Sequence, residues 1–103
     1  MIFEVARIDV KPGQESTFEE RVSQAVALFE RAKGCRSLTL QRSIESPSSY
    51  RLVVGWETVE DHTVGFRQSH DYQTWRSLVG EFFARPPEVE HVAEAVKGFG
   101  ATS

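Results

Sequence analysis

The spacing of apolar residues switches along this chain between two and about 3.6, and the order of the switches constrains the fold more than any single motif does. Residues 2–10 alternate: Ile2, Ala6, Ile8 and Val10 share one face, and Phe3 and Val5 share the other. This predicts a strand with apolar residues on both sides, ended by Lys11-Pro12-Gly13. Ser16 and Glu19 form a predicted capping box, and Phe18, Val22, Ala25, Phe29 and Ala32 then follow at helical steps, with Gly34 as the stop. Alternation returns over residues 36–44, with Leu38, Leu40 and Ile44 on one face, and a polar loop over residues 45–49 predicts a hairpin. Tyr50, Leu52, Val54 and Trp56 form the apolar face of a third strand. Thr58 and Asp61 start a second helix, which Ser69 breaks and caps again before Pro86-Pro87 ends it. Residues 88–96 are predicted as the last strand.

The resulting order, βαββαβ, is the ferredoxin-like arrangement of the α+β class. Two helices cover one face of a four-stranded antiparallel sheet. The other face holds Phe3, Val5, Val53, Val92 and Val96 among Arg7, Asp9, Arg51 and Glu57. Such a face wants a cover, and a second copy in a homodimer supplies one by two-fold symmetry. A monomer with a half-wetted sheet is the alternative. At 103 residues the chain is one domain, read as residues 2–96 with a short Gly-rich tail over 97–103. A net charge of −3 with scattered Lys and Arg excludes a basic nucleic-acid surface. The chain holds no apolar run long enough for a membrane span. The single cysteine, Cys35, predicts a reduced, cytoplasmic setting and reads as a small, partly buried residue.

Function is expected in the stretch from Trp56 to Val92, which holds both tryptophans, all three histidines, and Phe66, Phe82 and Phe83. Aromatic walls beside titratable groups suit a pocket for a flat apolar molecule. His62, Phe66 and Ser69 fall on one helical face, and Phe66 with Trp56 could sandwich a ring with His62 at its edge. The plainer reading makes His62 a structural histidine and Phe66 core. Tyr72 and Trp75 line the pocket as donors, or pack in the core. Arg67 and Arg76 are solvated, or bind an acidic substrate group. His91 points opposite to Glu90: it meets His62 if it faces the helices, and is structural if it faces a partner. His70 lies at the helix break and is expected to be exposed. The histidines match no metal-ligand spacing, so no metal site is assigned.

These residues carry a likeness. A first strand running into VKPG, a third strand ending in Trp56-Glu57, the pattern HxxxFRxSxxYxxW from His62 and a closing PxVEH resemble the antibiotic biosynthesis monooxygenase family. The resemblance covers residues 2–96 and implies a dimeric α+β barrel. It implies oxidation of an aromatic or quinol-like small molecule by molecular oxygen without a cofactor. The haem-degrading branch uses an Asn on the first strand and a Trp and a His on the second helix; those places fall on Ala6, Phe66 and Arg76, which points away from haem. Cofactor-free oxygenation needs an electron-rich substrate, a base, donors for the anion and a dry slot. His62 is the expected base, and Trp56, Phe66, Ser69, Tyr72, Trp75 and His91 the expected binding residues. A non-catalytic small-molecule-binding dimer and an isomerase of an oxygenated metabolite are the alternatives.

Overall fold

Alternation at the N-terminus becomes strand β1 (Ile2–Asp9), whose even-numbered residues point under the helices and whose odd-numbered residues point away. The computed structural model describes residues 1–100; residues 101–103 of the predicted tail lie outside the described residues. Helix α1 (Glu15–Glu30), strand β2 (Cys35–Arg42) and strand β3 (Ser49–Trp56) follow. A π-helical turn (Asp61–Phe66), helix α2 (His70–Val79), a 3₁₀ turn (Gly80–Phe82) and strand β4 (Glu88–Val92) complete the order. The sheet is antiparallel throughout, in the order β2-β3-β1-β4. It is the ferredoxin-like α+β fold read from the periodicity.

The core lies between the sheet and the helices. Ala6, Ile8, Tyr50, Leu52, Val54 and Trp56 face Phe18, Val22, Ala25 and Phe29 of α1 and Trp75 and Val79 of α2. Phe29 joins the two helices: its ring lies 4.7 Å from Phe66 and 5.0 Å from Trp75, the latter edge-on. Leu28 also belongs to the α1 stripe, whereas Ala32 lies past the end of the helix.

Several boundaries differ from the periodicity. Helix α1 begins at Glu15 with Gln14 as its cap, so Ser16-Glu19 is no capping box. Glu15 itself accepts the Gly13 N–H at 3.0 Å, and Glu19 is drawn to Tyr50 and Arg42 instead. Gly34 does not stop α1, which ends at Glu30; it sits in the following turn at φ 79°, and a Cβ there would collide with the Asp61 carboxylate. Strand β2 stops at Arg42, which leaves Ile44 exposed in the hairpin loop. Strand β4 stops at Val92, paired with Phe3, because β1 begins one residue earlier and has no further ladder to offer. Val96 therefore lies off the sheet and is exposed. The break in the second helix stands: Ser69 caps α2 by accepting the Tyr72 N–H at 3.1 Å. Thr58 accepts the Asp61 N–H at 3.1 Å, as its spacing predicts. Among the described residues no helix is long and apolar enough to cross a membrane.

Candidate functional site

Position 4 is the core-facing place between Ile2 and Ala6 on β1, and it holds a glutamate. Glu4 is 5% exposed. A buried carboxylate without partners would be strongly unfavourable, so its neighbours are informative. Trp56, at the end of the adjacent strand, donates its indole N–H to Glu4 Oε1 at 3.1 Å. His62 Nε2 lies 3.3 Å from the same oxygen. The other ring nitrogen of His62, Nδ1, lies 2.8 Å from His91 Nε2, so one of these two nitrogens donates to the other. The β1–β4 register pairs Glu4 with His91 directly, which puts His91 on the helix side. The open choice for His91 is thereby decided.

The three side chains form a line, Glu4–His62–His91, with His62 engaged through opposite nitrogens. They do not converge on a point, and among the described residues no group of three His, Cys, Asp or Glu is placed to hold a metal ion. Burial is the first cause of both titration shifts here. It raises Glu4, although the Trp56 hydrogen bond and the Arg67 charge pull the other way. It pushes His62 down to about 4, helped by the charges of Arg67 and His91. His62 is thus neutral at pH 7, beside a carboxyl group with an opposite perturbation. Such pairs mark candidate sites.

The line borders a cavity of about 280 Å³. Ala6, Ile8 and Leu52 form its floor, and Tyr72, Trp75 and Phe83 its aromatic wall. Glu4, His62, Arg67 and Arg76 contribute its charged and titratable edge. This is near the small end of ligand pockets, which run from roughly 300 Å³ upward. It suits a one- or two-ring molecule.

The expected site residues divide into three groups. His62, Tyr72 and Trp75 meet at this cavity, and His91 touches His62 from β4. Trp56 and Phe66 are not an open sandwich. Trp56 stacks on His62 at 5.5 Å and packs against Phe66 at 5.6 Å, so Trp56 lies against the imidazole and Phe66 backs Trp56 instead of the two enclosing a slot. Ser69 stands apart: it caps α2 and donates its hydroxyl to the Phe66 carbonyl at 2.6 Å. Arg67 and Arg76 are exposed yet line the cavity, and His70 is exposed at the start of α2.

The π-helical turn explains part of this. Its i→i+5 bonding runs from the Arg67 N–H to the His62 carbonyl at 3.0 Å. In a regular α-helix, five residues turn about 140° past one full circle, which would point Arg67 away from His62. The wider turn puts both on one cavity. Glu4 is the residue the sequence reading missed. Its signal was a charged side chain in phase with Ile2, Ala6, Ile8 and Val10. Cys35 is partly buried and its thiol is pushed up, first by burial, which disfavours the thiolate.

An antiparallel sheet with two helices on one face, and a buried polar line opening on a small cavity between them, defines a ferredoxin-like α+β protein with one candidate site. The chain belongs to the antibiotic biosynthesis monooxygenase family, whose sequence model matches residues 1–78. The uncharacterized protein YczJ of Bacillus subtilis (strain 168) is 41% identical over 91 residues, covering 88% of this chain and 96% of that one. A crystal structure from Bordetella bronchiseptica, of a protein named for the same family, is 56% identical with a TM-score of 0.91, covering 92% of this chain and 97% of the other. SnoaB of Streptomyces nogalater, a cofactor-independent oxygenase, shares the fold at 19% identity and a TM-score of 0.78, covering 93% and 94%.

Proposed function

We propose that the chain is a monooxygenase that oxidises a small hydroxyaromatic molecule with molecular oxygen, with His62 as the base and no cofactor. The observation that carries this reading is the buried Glu4–His62–His91 line at the wall of an aromatic cavity. The family membership and the activity named for SnoaB support it.

In the working tautomer, His62 donates from Nδ1 to His91 and keeps a lone pair on Nε2. The 3.3 Å gap from Nε2 to Glu4 is longer than a good N–H···O bond, which leaves this lone pair available to a substrate hydroxyl. Proton transfer creates an imidazolium and a phenolate together. Glu4 faces the imidazolium and stabilises it, as a carboxylate orients a catalytic histidine. The burial that keeps His62 neutral at rest is offset by the new anion beside it. The phenolate gives an electron to oxygen, and the radical pair joins at a ring carbon to form a C–O bond. The imidazolium gives its proton to the peroxide; His62 then takes the proton from that carbon as the O–O bond breaks, and passes it to the departing hydroxide. The products are a quinone and water, so the substrate supplies all four electrons. Tyr72 and Trp75 hold the ring, Trp56 holds His62 with Phe66 behind it, and Ser69 holds the helix start that carries Tyr72.

The uncovered sheet face supports a homodimer. Phe3, Val5 and Val53 are half-buried there and Val92 is exposed, with Arg7, Arg51, Glu88 and Glu90 around them. Val53→Asp is expected to shift the chain to a monomer in sedimentation, and an unchanged mass would sink the dimer.

The test of activity is oxygen uptake by chelator-treated protein against dihydroxyaromatics and quinols, beside His62→Ala. Uptake that falls in the variant supports the oxygenase. Product formed equally well without oxygen would make the protein an isomerase. Ligand binding with no turnover would make it a binding module.

A further inference from the structure

The chain carries nine arginines, and six of them lie beside a carboxylate. Arg7 and Arg85 share Asp9, Arg21 meets Glu81, Arg31 meets Asp71, Arg36 meets Glu57 and Arg42 meets Glu19. Arg51 is turned back onto Ser49 and the Tyr50 carbonyl. The remaining two, Arg67 and Arg76, form no ion pair among the described residues, and both line the same cavity. Arg76 is held by a long contact to the Tyr72 hydroxyl, 3.4 Å, and lies over the Phe83 ring at 5.7 Å. Both of those neighbours are themselves cavity walls. Arg67 is brought round to the cavity by the π-helical turn, one turn from His62.

In a chain of net charge −3, two unpaired guanidinium groups at one small aromatic cavity are a local excess of positive charge. Among the described residues the only carboxylate on the cavity is Glu4, and its Oε1 already accepts the Trp56 indole N–H and faces His62. Guanidinium groups match planar oxyanions in geometry as well as charge. We propose that Arg67 and Arg76 are an anion clamp, and that the molecule this site takes is a small hydroxyaromatic acid, its acid group on the arginines and its ring against Tyr72 and Trp75. This deepens the proposed function and rests on the same cavity. It does not require that oxygen be consumed.

The test separates the two readings. Salicylate and salicylamide have nearly the same shape and differ in charge. Their binding to the intact protein is measured by calorimetry, without reference to turnover. Salicylate is expected to bind at least about tenfold tighter than the amide, since hydrogen bonds to charged groups are the strong ones. Arg67→Ala and Arg76→Ala should each reduce that preference, and Arg67→Lys should restore part of it. Added salt should weaken salicylate and leave the amide unchanged. Equal binding of acid and amide, or a preference that survives both alanine variants, would overturn the clamp. Circular dichroism of each variant shows that lost preference is not lost fold. If the acid preference holds and no hydroxyaromatic acid drives oxygen uptake, the clamp stands and the oxygenase reading fails. If neutral quinols are turned over as well as acids, the oxygenase stands and the clamp fails.

Discussion

Two glutamates lie under opposite ends of strand β3, and each receives a hydrogen bond from an aromatic residue of that strand. Tyr50 donates its hydroxyl to Glu19 at 2.6 Å, and Trp56 donates its indole N–H to Glu4 at 3.1 Å. The settings differ in water and in counter-charge. The Glu19 side chain is 44% exposed and has the Arg42 guanidinium at 3.3 Å. The Glu4 side chain is 7% exposed and has a neutral imidazole where Glu19 has a cation. At the first site the charge is compensated, and the Tyr50 hydroxyl is pushed well up, first by burial and then by Glu19. That is a structural knot, since its protons have no reason to move. At the second site burial raises the carboxyl and lowers the imidazole, which marks it as a candidate for proton transfer. The same pairing of aromatic donor and carboxylate is balanced by a cation in one place and perturbed by burial in the other.

The sharpest break of this comparison is catalytic. His62→Ala is expected to lower oxygen uptake by about 10²–10⁴, the usual range for a general base, while substitutions at Glu19 leave it unchanged. Next comes packing. Trp56 is fully buried, so Trp56→Ala should lose about 3–5 kcal/mol in denaturant unfolding. Tyr50→Phe keeps the ring and loses one hydrogen bond, about 1 kcal/mol.

A smaller effect has opposite signs at the two glutamates. Glu19→Gln weakens a partly exposed ion pair and should lower stability by up to about 1 kcal/mol with activity intact. Glu4→Gln removes a charge that burial disfavours, so its thermal midpoint at pH 7 should hold or rise while turnover falls. A lower midpoint with full turnover would reverse the roles assigned to the two sites.

The smallest effect is the pH slope. His62 titrates at about 4 in the fold against the usual 6.5. Above 6.5 it is neutral in both states. As pH falls from 6.5 to about 4 the unfolded chain takes up the proton first, so stability declines across that window. His62→Gln should flatten this decline in thermal melts. Glu4 acts in the other sense: its raised value means stability is lost as pH rises from 4.5 through the folded value. Glu4→Gln should remove that loss.

The sequence by itself determined the element order, the antiparallel sheet with helices on one face, the Ser69 break, and most of the core, because period-two and period-3.6 patterns report burial on one side directly. It also put His62, Tyr72 and Trp75 into one candidate site, since all three fall in one stretch rich in aromatic residues and histidines. Glu4 was visible as a charge in an apolar phase, yet nothing local says what meets it. Its partners come from β3, the π-helical turn and β4: Trp56, His62 and the paired His91 all lie more than fifty residues away in sequence. The contact of His62 with His91 depends on the β1–β4 register, and the placing of Arg67 depends on one extra residue in a helical turn. Trp56 and Phe66 were read as walls of a slot because periodicity shows that an aromatic ring is buried, but not whether a ligand or another side chain fills the space beside it. Those points only the tertiary structure decided: they are set by strand pairing and by packing across the core, which act between residues that no local pattern connects.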